Sequence, residues 1–155
     1  MLEPGDSAPE ITLTDHRGEA VTVDPAAASH TVVYFYPRAD TPGCTAEACS
    51  FRDEWSAFEA ADVAVVGISD DPVADLEPFA AEYDLPFSLL SDPDGEVASA
   101  YDSYGEKSMF GNTFDGVFRN TYVLDDEGTV VLAYEGVSPV DHAVEILDDV
   151  RALDD

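Results

Sequence analysis

Short runs of hydrophobic residues alternate with stretches of helical periodicity along the chain. Residues 31–36 and 63–69 are rich in β-branched, aromatic and other apolar side chains, which is typical of strands buried on both faces of a sheet. Between them, four apolar residues recur at helical spacing: Ala48, Phe51, Trp55 and Phe58. We therefore predict a strand–helix–strand unit with parallel strands and a right-handed crossover.

The flanking segments predict two antiparallel hairpins, further helices and one more strand. The hairpins pair residues 11–14 with 21–23 and residues 117–124 with 129–134. The other predicted elements are a helix from Asp75 to about residue 83 with Pro78 in its first turn, a strand over 88–90, a short helix over 94–101, and a final helix capped by Ser138 and Pro139. The apolar face of that final helix is formed by Val140, Ala143, Val144, Leu147 and Val150. Residues 102–116 hold three Gly and one Asn and predict a long loop.

This order of elements predicts a single α/β domain over residues 1–155. Its central mixed sheet has helices on both faces and an N-terminal β-hairpin. The chain contains 34 Asp and Glu against 6 Lys and Arg, for a formal net charge of −28. Such a charge excludes a nucleic-acid or anionic-membrane binder, because both need a basic surface. The acid is spread along the whole chain rather than gathered in a tail, which indicates adaptation to high salt. An ordinary acidic protein is the alternative.

The N-terminal segment and the small number of cysteines indicate the cellular compartment. Residues 1–6 have neither a basic region nor an apolar run, and no apolar run approaches the roughly 18 residues of a membrane span. Two cysteines do not make a disulfide-stapled scaffold. We expect a cytoplasmic protein that is monomeric, with a weak dimer as the alternative.

Cys44 lies in the first turn of the helix predicted after the strand 31–36. Thr41 is expected as the N-cap and Pro42 as the first helical residue. At this end of a helix, free N–H groups and the positive end of the dipole favour a thiolate, so Cys44 is a candidate nucleophile. Pro37 would stiffen the preceding loop and shield the sulfur. A buried, unreactive cysteine is the alternative.

Cys49 follows five residues later on the same helix. On an intact helix these Cα atoms lie roughly 8.6 Å apart, beyond the roughly 7 Å that a disulfide spans. A bond between Cys44 and Cys49 therefore requires the first turns of the helix to unwind. This spacing favours a nucleophile that is oxidised first and resolved later. A small core residue is the other interpretation of Cys49.

Arg119 is one of few cations and is predicted inside the strand 117–124. Its planar guanidinium is suited to stabilising a thiolate together with an incoming polar oxygen. A salt bridge to a nearby carboxylate is the alternative, and Glu47 is a candidate partner. The three His are scattered, and no phosphate-binding glycine motif or EF-hand occurs. We expect no metal and no organic cofactor.

At this point the sequence resembles a known family. The segment YFYPRADTPGCTAEAC at residues 34–49 is similar to the active-site segment of peroxiredoxins of the bacterioferritin-comigratory-protein, or Q, type. Residues 5–9, 85–92, 105–108 and 119–125 extend the resemblance nearly end to end.

The resemblance implies a thioredoxin-like fold and a role for each candidate. Cys44 would be the peroxidatic cysteine and Cys49 the resolving cysteine. Thr41 and Arg119 would position the peroxide and stabilise the transition state, and Pro37 would shield the site. The substrate would be hydrogen peroxide or an organic hydroperoxide, and the reductant thioredoxin or a glutaredoxin-like protein. A thiol–disulfide oxidoreductase or a peroxide sensor on the same fold are the alternatives.

The acidic composition predicts that salt stabilises the protein. At about 1 M salt the Debye length is about 3 Å, which screens the self-repulsion of the carboxylates. We expect the melting temperature and the peroxidase rate to rise together from dilute buffer to molar salt. A protein equally stable and active in dilute buffer would contradict the salt adaptation and leave the cysteine chemistry intact.

Overall fold

A computed structural model describes residues 2–39, 41–109, 111–136 and 142–153. The strands are β1 (Thr12–Asp15), β2 (Ala20–Thr22), β3 (His30–Phe35), β4 (Val63–Ser69), β5 (Ser88–Ser91), β6 (Tyr104–Met109), β7 (Asn112–Val117), β8 (Thr121–Asp125) and β9 (Val130–Tyr134). The α-helices are α1 (Pro42–Asp53), α2 (Trp55–Ala60), α3 (Val73–Glu82), α4 (Glu96–Ala100) and α5 (His142–Leu153). A 3₁₀ turn covers Pro25–Ala27.

Seven strands form one mixed sheet in the order β2-β1-β5-β4-β3-β8-β9. The three central strands β5, β4 and β3 are parallel, while β1 and β8 join them antiparallel on either side. The predicted opening hairpin and the β8–β9 hairpin are confirmed. The predicted strand–helix–strand unit is confirmed as β3, the helices α1 and α2, and β4.

Apolar side chains on the two faces of the sheet build two separate core clusters. One cluster joins the sheet to α1, α2, α3 and α5 through residues such as Phe51, Phe58, Phe79 and Ile146. The other cluster lies on the opposite face, where Ala98 of α4 packs with Phe35, Ile68 and Tyr122. The prediction of a mixed sheet with helices on both faces is therefore confirmed. This arrangement places the carboxyl end of β3, which leads into α1, between two packed layers.

Residues 102–116 differ from the predicted loop. Most of them form β6 and β7, an antiparallel hairpin that pairs Gly105 with Gly116. Gly105 and Gly116 therefore lie within a ladder rather than ending it, because cross-strand hydrogen bonds outweigh a weak intrinsic strand preference. The predicted strand 117–124 was also too long, since β7 ends at Val117 and β8 begins at Thr121. Arg119 consequently lies in the connection between two strands and not within one.

Several helix boundaries also differ from the predictions. The helix expected from Asp75 begins at Val73, so Pro78 lies in its interior rather than in its first turn. The helix carrying Cys44 ends at Asp53, and Trp55 begins α2. In α5 the apolar face includes Ile146, which the prediction left out.

Val144 was wrongly assigned to the α5 face and is 45% exposed. The predicted cap, Ser138 with Pro139, and the predicted face residue Val140 lie outside the described residues. Within the described ranges, no helix is both long and apolar enough to cross a membrane.

Gly67 in β4 gives room to the ring of Tyr34 on β3. A Cβ atom at Gly67 would lie 2.6 Å from Cζ and 2.7 Å from the hydroxyl oxygen of Tyr34. Tyr34 is itself buried and stacks on Phe51 with ring centroids 4.8 Å apart. The ring therefore has little freedom to give way.

We predict that Gly67→Ala lowers the free energy of unfolding by about 1–3 kcal/mol through overpacking. Chemical denaturation measures this change. The same substitution in a Tyr34→Ala background should cost much less, because the ring it strikes is gone. An equal cost in both backgrounds would show that the contact with Tyr34 is not the cause.

Candidate active site

Cys44 is the third residue of α1 and is buried, with 1% of its surface exposed. β3 ends at Phe35, a short loop follows, and Pro42 opens the helix as predicted. Pro42 is suited to this position because the first helical N–H groups have no intrahelical acceptor and its own is missing. Cys44 therefore lies where first-turn N–H groups and the helix dipole favour negative charge.

Arg119 bridges Cys44 and Glu47 with its two terminal nitrogens. Nη2 donates to Sγ of Cys44 at 3.2 Å, and Nη1 donates to Oε1 of Glu47 at 2.9 Å. The side chain of Arg119 is 18% exposed. Partial burial opposes its charge, but Cys44 and Glu47 outweigh that effect and raise the pKa of Arg119. A fixed cation therefore lies 3.2 Å from the sulfur, where it can stabilise negative charge that develops there.

Glu47 lies one turn after Cys44 on α1 and is fully buried. Burial raises its pKa to about 7, although Arg119 acts in the opposite direction through its charge and its hydrogen bond. The sequence indicated Glu47 only as a candidate partner of Arg119. The structure shows that contact, so the salt bridge and the contact with Cys44 coexist.

Thr41 occupies the N-cap position of α1, but it does not cap the helix with its side chain. Its hydroxyl donates instead to the carbonyl oxygen of Arg38 at 2.9 Å, because it points back into the loop rather than along the helix. The expected side-chain cap is therefore wrong. The hydroxyl fastens the loop that carries Pro37 into the turn before Cys44.

Asp71, which the sequence pattern did not single out, holds the same loop through its carboxylate. Its Oδ2 atom accepts hydrogen bonds from the N–H of Ala39 at 2.7 Å and from the hydroxyl of Ser69 at 2.9 Å. Asp71 follows β4 closely. Because β3 and β4 are parallel, their carboxyl ends lie at one edge of the sheet, and this is the signal that would have predicted the contact.

A surface pocket of about 520 Å³ opens beside Arg119. Its lining includes Pro37, Lys107, Phe118 and Asn120. Lys107 lies with its Nζ atom 5.6 Å from the centroid of the Phe118 ring. Burial and the charge of Arg119 lower the pKa of Lys107, while Asp70 and Cys44 act in the opposite direction. Lys107 is the chain's only lysine, and the sequence pattern did not assign it to the site.

Cys49 lies on the same uninterrupted helix and is half-buried. Both cysteines are free thiols in the structure. The structure thus brings Cys44, Arg119 and Glu47 into contact and leaves Cys49 about one and a half turns away. Among the residues that the structure describes, no group of three or more metal-ligating side chains comes together.

The chain is similar to known proteins over most of its length. A model of the AhpC/TSA family matches residues 4–133. Peroxiredoxin Bcp of Escherichia coli is 39% identical over 141 residues, which cover 91% of this chain and 90% of that protein. The crystal structure of peroxidoxin BcpB from Mycobacterium tuberculosis matches with a TM-score of 0.87 at 33% identity, covering 99% of both chains.

A structure of the bacterioferritin comigratory protein of Xanthomonas campestris matches with a TM-score of 0.86 at 33% identity, over 94% of this chain and 92% of that one. The chain therefore belongs to the AhpC/TSA family, and the predicted thioredoxin-like fold is confirmed. Within that family it is a peroxiredoxin of the Bcp, or Q, type. It is a peroxidase.

Because Arg119 contacts Cys44 and Glu47 at once, we predict that peroxide reduction depends on the geometry of its side chain as well as on its charge. Arg119→Lys keeps the cation but cannot reach Cys44 and Glu47 together. We expect the second-order rate of peroxide reduction to fall roughly a hundredfold, the typical effect of losing one donor at a developing anion. Stopped-flow kinetics with hydrogen peroxide measures it.

Arg17→Lys is the matched control, because Arg17 is an exposed cation on the turn between β1 and β2. This variant should react at the wild-type rate. An unchanged rate in a folded Arg119→Lys protein would show that Arg119 acts only as the salt-bridge partner of Glu47.

Proposed function

We propose that this peroxiredoxin reduces hydrogen peroxide and alkyl hydroperoxides through Cys44 as the peroxidatic cysteine. The observation that carries the proposal is the hydrogen bond of Arg119 to Cys44 Sγ at the first turn of α1. A cation and a helix N-terminus act on one buried sulfur and favour its thiolate, the nucleophilic form. The bacterioferritin comigratory protein of Xanthomonas campestris has alkyl peroxide reduction activity, which supports the same substrates here.

In the first step the Cys44 thiolate attacks the distal oxygen of the peroxide. The O–O bond breaks, sulfur loses two electrons, and the products are a sulfenic acid and water or an alcohol. Arg119 stabilises the thiolate and the charge that develops on the oxygens. Thr41 and Pro37 belong to the loop held by Asp71, and we assign them the positioning of the peroxide and the shielding of the sulfur.

In the second step Cys49 resolves the sulfenic acid. Its thiol condenses with Cys44–SOH and releases water, which leaves an intramolecular disulfide. Because both residues lie on α1, the first turns of the helix must unwind before the two sulfur atoms meet. An external dithiol then reduces the disulfide by exchange. We infer thioredoxin or a glutaredoxin-like protein as that reductant.

The cellular setting is part of the same proposal. We propose that the whole chain is one domain that works as a cytoplasmic monomer without a metal or an organic cofactor. The surface that gives the chain its net charge of −28 is adapted to molar salt. In that setting, screening keeps the helix around Cys44 packed between turnovers.

Substitutions of the two cysteines separate their roles. Cys44→Ser should abolish peroxide consumption, because no nucleophile remains in the Arg119 contact. Cys49→Ser should consume one equivalent of peroxide and then stop, with sulfenic or further oxidised Cys44 accumulating. A coupled assay of peroxide consumption at high salt, with mass spectrometry of the protein, measures both.

The same assay distinguishes the alternatives. A thiol–disulfide oxidoreductase would reduce protein disulfides and leave peroxide unconsumed. A peroxide sensor would be oxidised once and fail to turn over with any dithiol donor. Equal residual turnover in the Cys44→Ser and Cys49→Ser proteins would contradict the assignment of the two cysteines.

A further inference from the structure

Arg119 places a single positive charge between two acidic groups. Its guanidinium donates to Cys44 Sγ at 3.2 Å and to Glu47 Oε1 at 2.9 Å, and both of those residues are buried. If both were ionised, the cluster would carry a net negative charge away from solvent, which is costly. One guanidinium therefore balances one anion, and the two acids compete for it.

The second carboxyl oxygen of Glu47 indicates which of the two acids is protonated. Oε2 is buried and has no hydrogen-bond partner among the described residues. An ionised carboxylate with a bare, buried oxygen is unfavourable, whereas a carboxylic acid places its proton on that oxygen and loses much less. The raised pKa of Glu47, caused by burial and opposed by Arg119, agrees with this interpretation.

The neighbouring elements supply no second cation in contact with the carboxyl group in the part of the chain that the structure describes. From β3 and the residue after it, the hydroxyls of Tyr34 and Tyr36 face the site, and burial keeps both in the neutral form because it raises their pKa. From β6, Lys107 acts on Arg119 and Cys44 rather than on Glu47. From α5, burial lowers the pKa of His142, although Glu145 acts in the opposite direction.

We propose that Glu47 holds the proton of this cluster while Cys44 is a thiolate and gives it up when Cys44 becomes a sulfenic acid. The step, which rests on the proposed function, is Cys44–S⁻ + R–OOH + Glu47–COOH → Cys44–SOH + R–OH + Glu47–COO⁻. Sulfur supplies two electrons to the O–O bond, and the proton lost by Glu47 balances the one that the leaving oxygen gains. Arg119 faces one anion throughout, first the thiolate and then the carboxylate.

Glu47 is thus a positioning residue that acts through Arg119 and does not touch the peroxide. Its function is to let the negative charge move from sulfur to carboxylate without moving the cation. If Glu47 were permanently ionised and only held Arg119 in place, no carboxyl proton would be lost when Cys44 is oxidised. The two cases differ in what happens to the carboxyl proton when Cys44 is oxidised.

Infrared difference spectroscopy follows that proton directly. Reduced protein carrying Cys49→Ser, which stops at the sulfenic acid, is mixed with hydrogen peroxide about one pH unit below the pKa of about 7 of Glu47, where this carboxyl group is mostly protonated. We expect the stretch of one protonated carboxyl group to disappear as Cys44–SOH forms. The change should be absent when Glu47→Gln is added and retained when Glu59→Gln, an exposed control on α2, is added instead.

Proton uptake measured with an indicator dye gives a second readout. Glu47–COOH releases one proton for each proton that the leaving oxygen gains, so the protein with Glu47 intact should show little net proton uptake from solvent. Glu47→Gln should take up about one proton per Cys44 oxidised. Equal uptake in the two proteins, or oxidation of Cys44 with no loss of a carboxyl band, overturns the inference alone. If hydrogen peroxide does not oxidise Cys44 at all, the proposed function fails with it.

Discussion

Both cysteines occupy one uninterrupted helix, and that constraint governs the rest of the site. While α1 is intact, Cys44 lies against Arg119 and cannot reach Cys49. In the mechanism that we propose, the packed helix is therefore the form that reacts with peroxide, and an unwound helix is the form that makes the disulfide. Two kinds of contact hold the first turns among the described residues. Arg119 binds Glu47 and Asp71 binds the preceding loop, while Cys44 and Ala48 pack into the core cluster. Unwinding in the proposed mechanism must break both the polar contacts and this packing.

The sequence predicted the parts of the fold that depend on long apolar periodicity. β4 was predicted over its whole length, and the parallel strand–helix–strand unit followed from two buried runs and one helical stripe. The β6–β7 hairpin was missed because its ladder outweighs the weak strand preference of Gly105 and Gly116. Local preference also misplaced Pro78, since burial of Leu76 and Phe79 in the core holds α3 through a proline that would otherwise mark its start.

The candidate site was predictable where chemistry depends on position along one helix. The spacing of Cys44 and Cys49 and the rarity of cations both marked residues that the structure places on or beside α1. The other site residues lie far away in the sequence, and no local pattern assigned them to the site. Asp71 and Lys107 come to the site from the end of β4 and from β6, and only the arrangement of the strands brings their elements to this edge. The double contact of Arg119 also depends on a connection between strands whose path no local pattern encodes.

Amide hydrogen exchange of α1 tests the central claim most directly. In the reduced protein at high salt, the amides that follow the first turn, residues 45–53, should exchange slowly, as in a packed helix. After oxidation by one equivalent of hydrogen peroxide without a reductant, those near Cys44 and Cys49 should exchange at rates close to an unfolded chain, while β3 and β4 keep their protection. An oxidised protein with a Cys44–Cys49 disulfide and full protection across α1 would contradict the account.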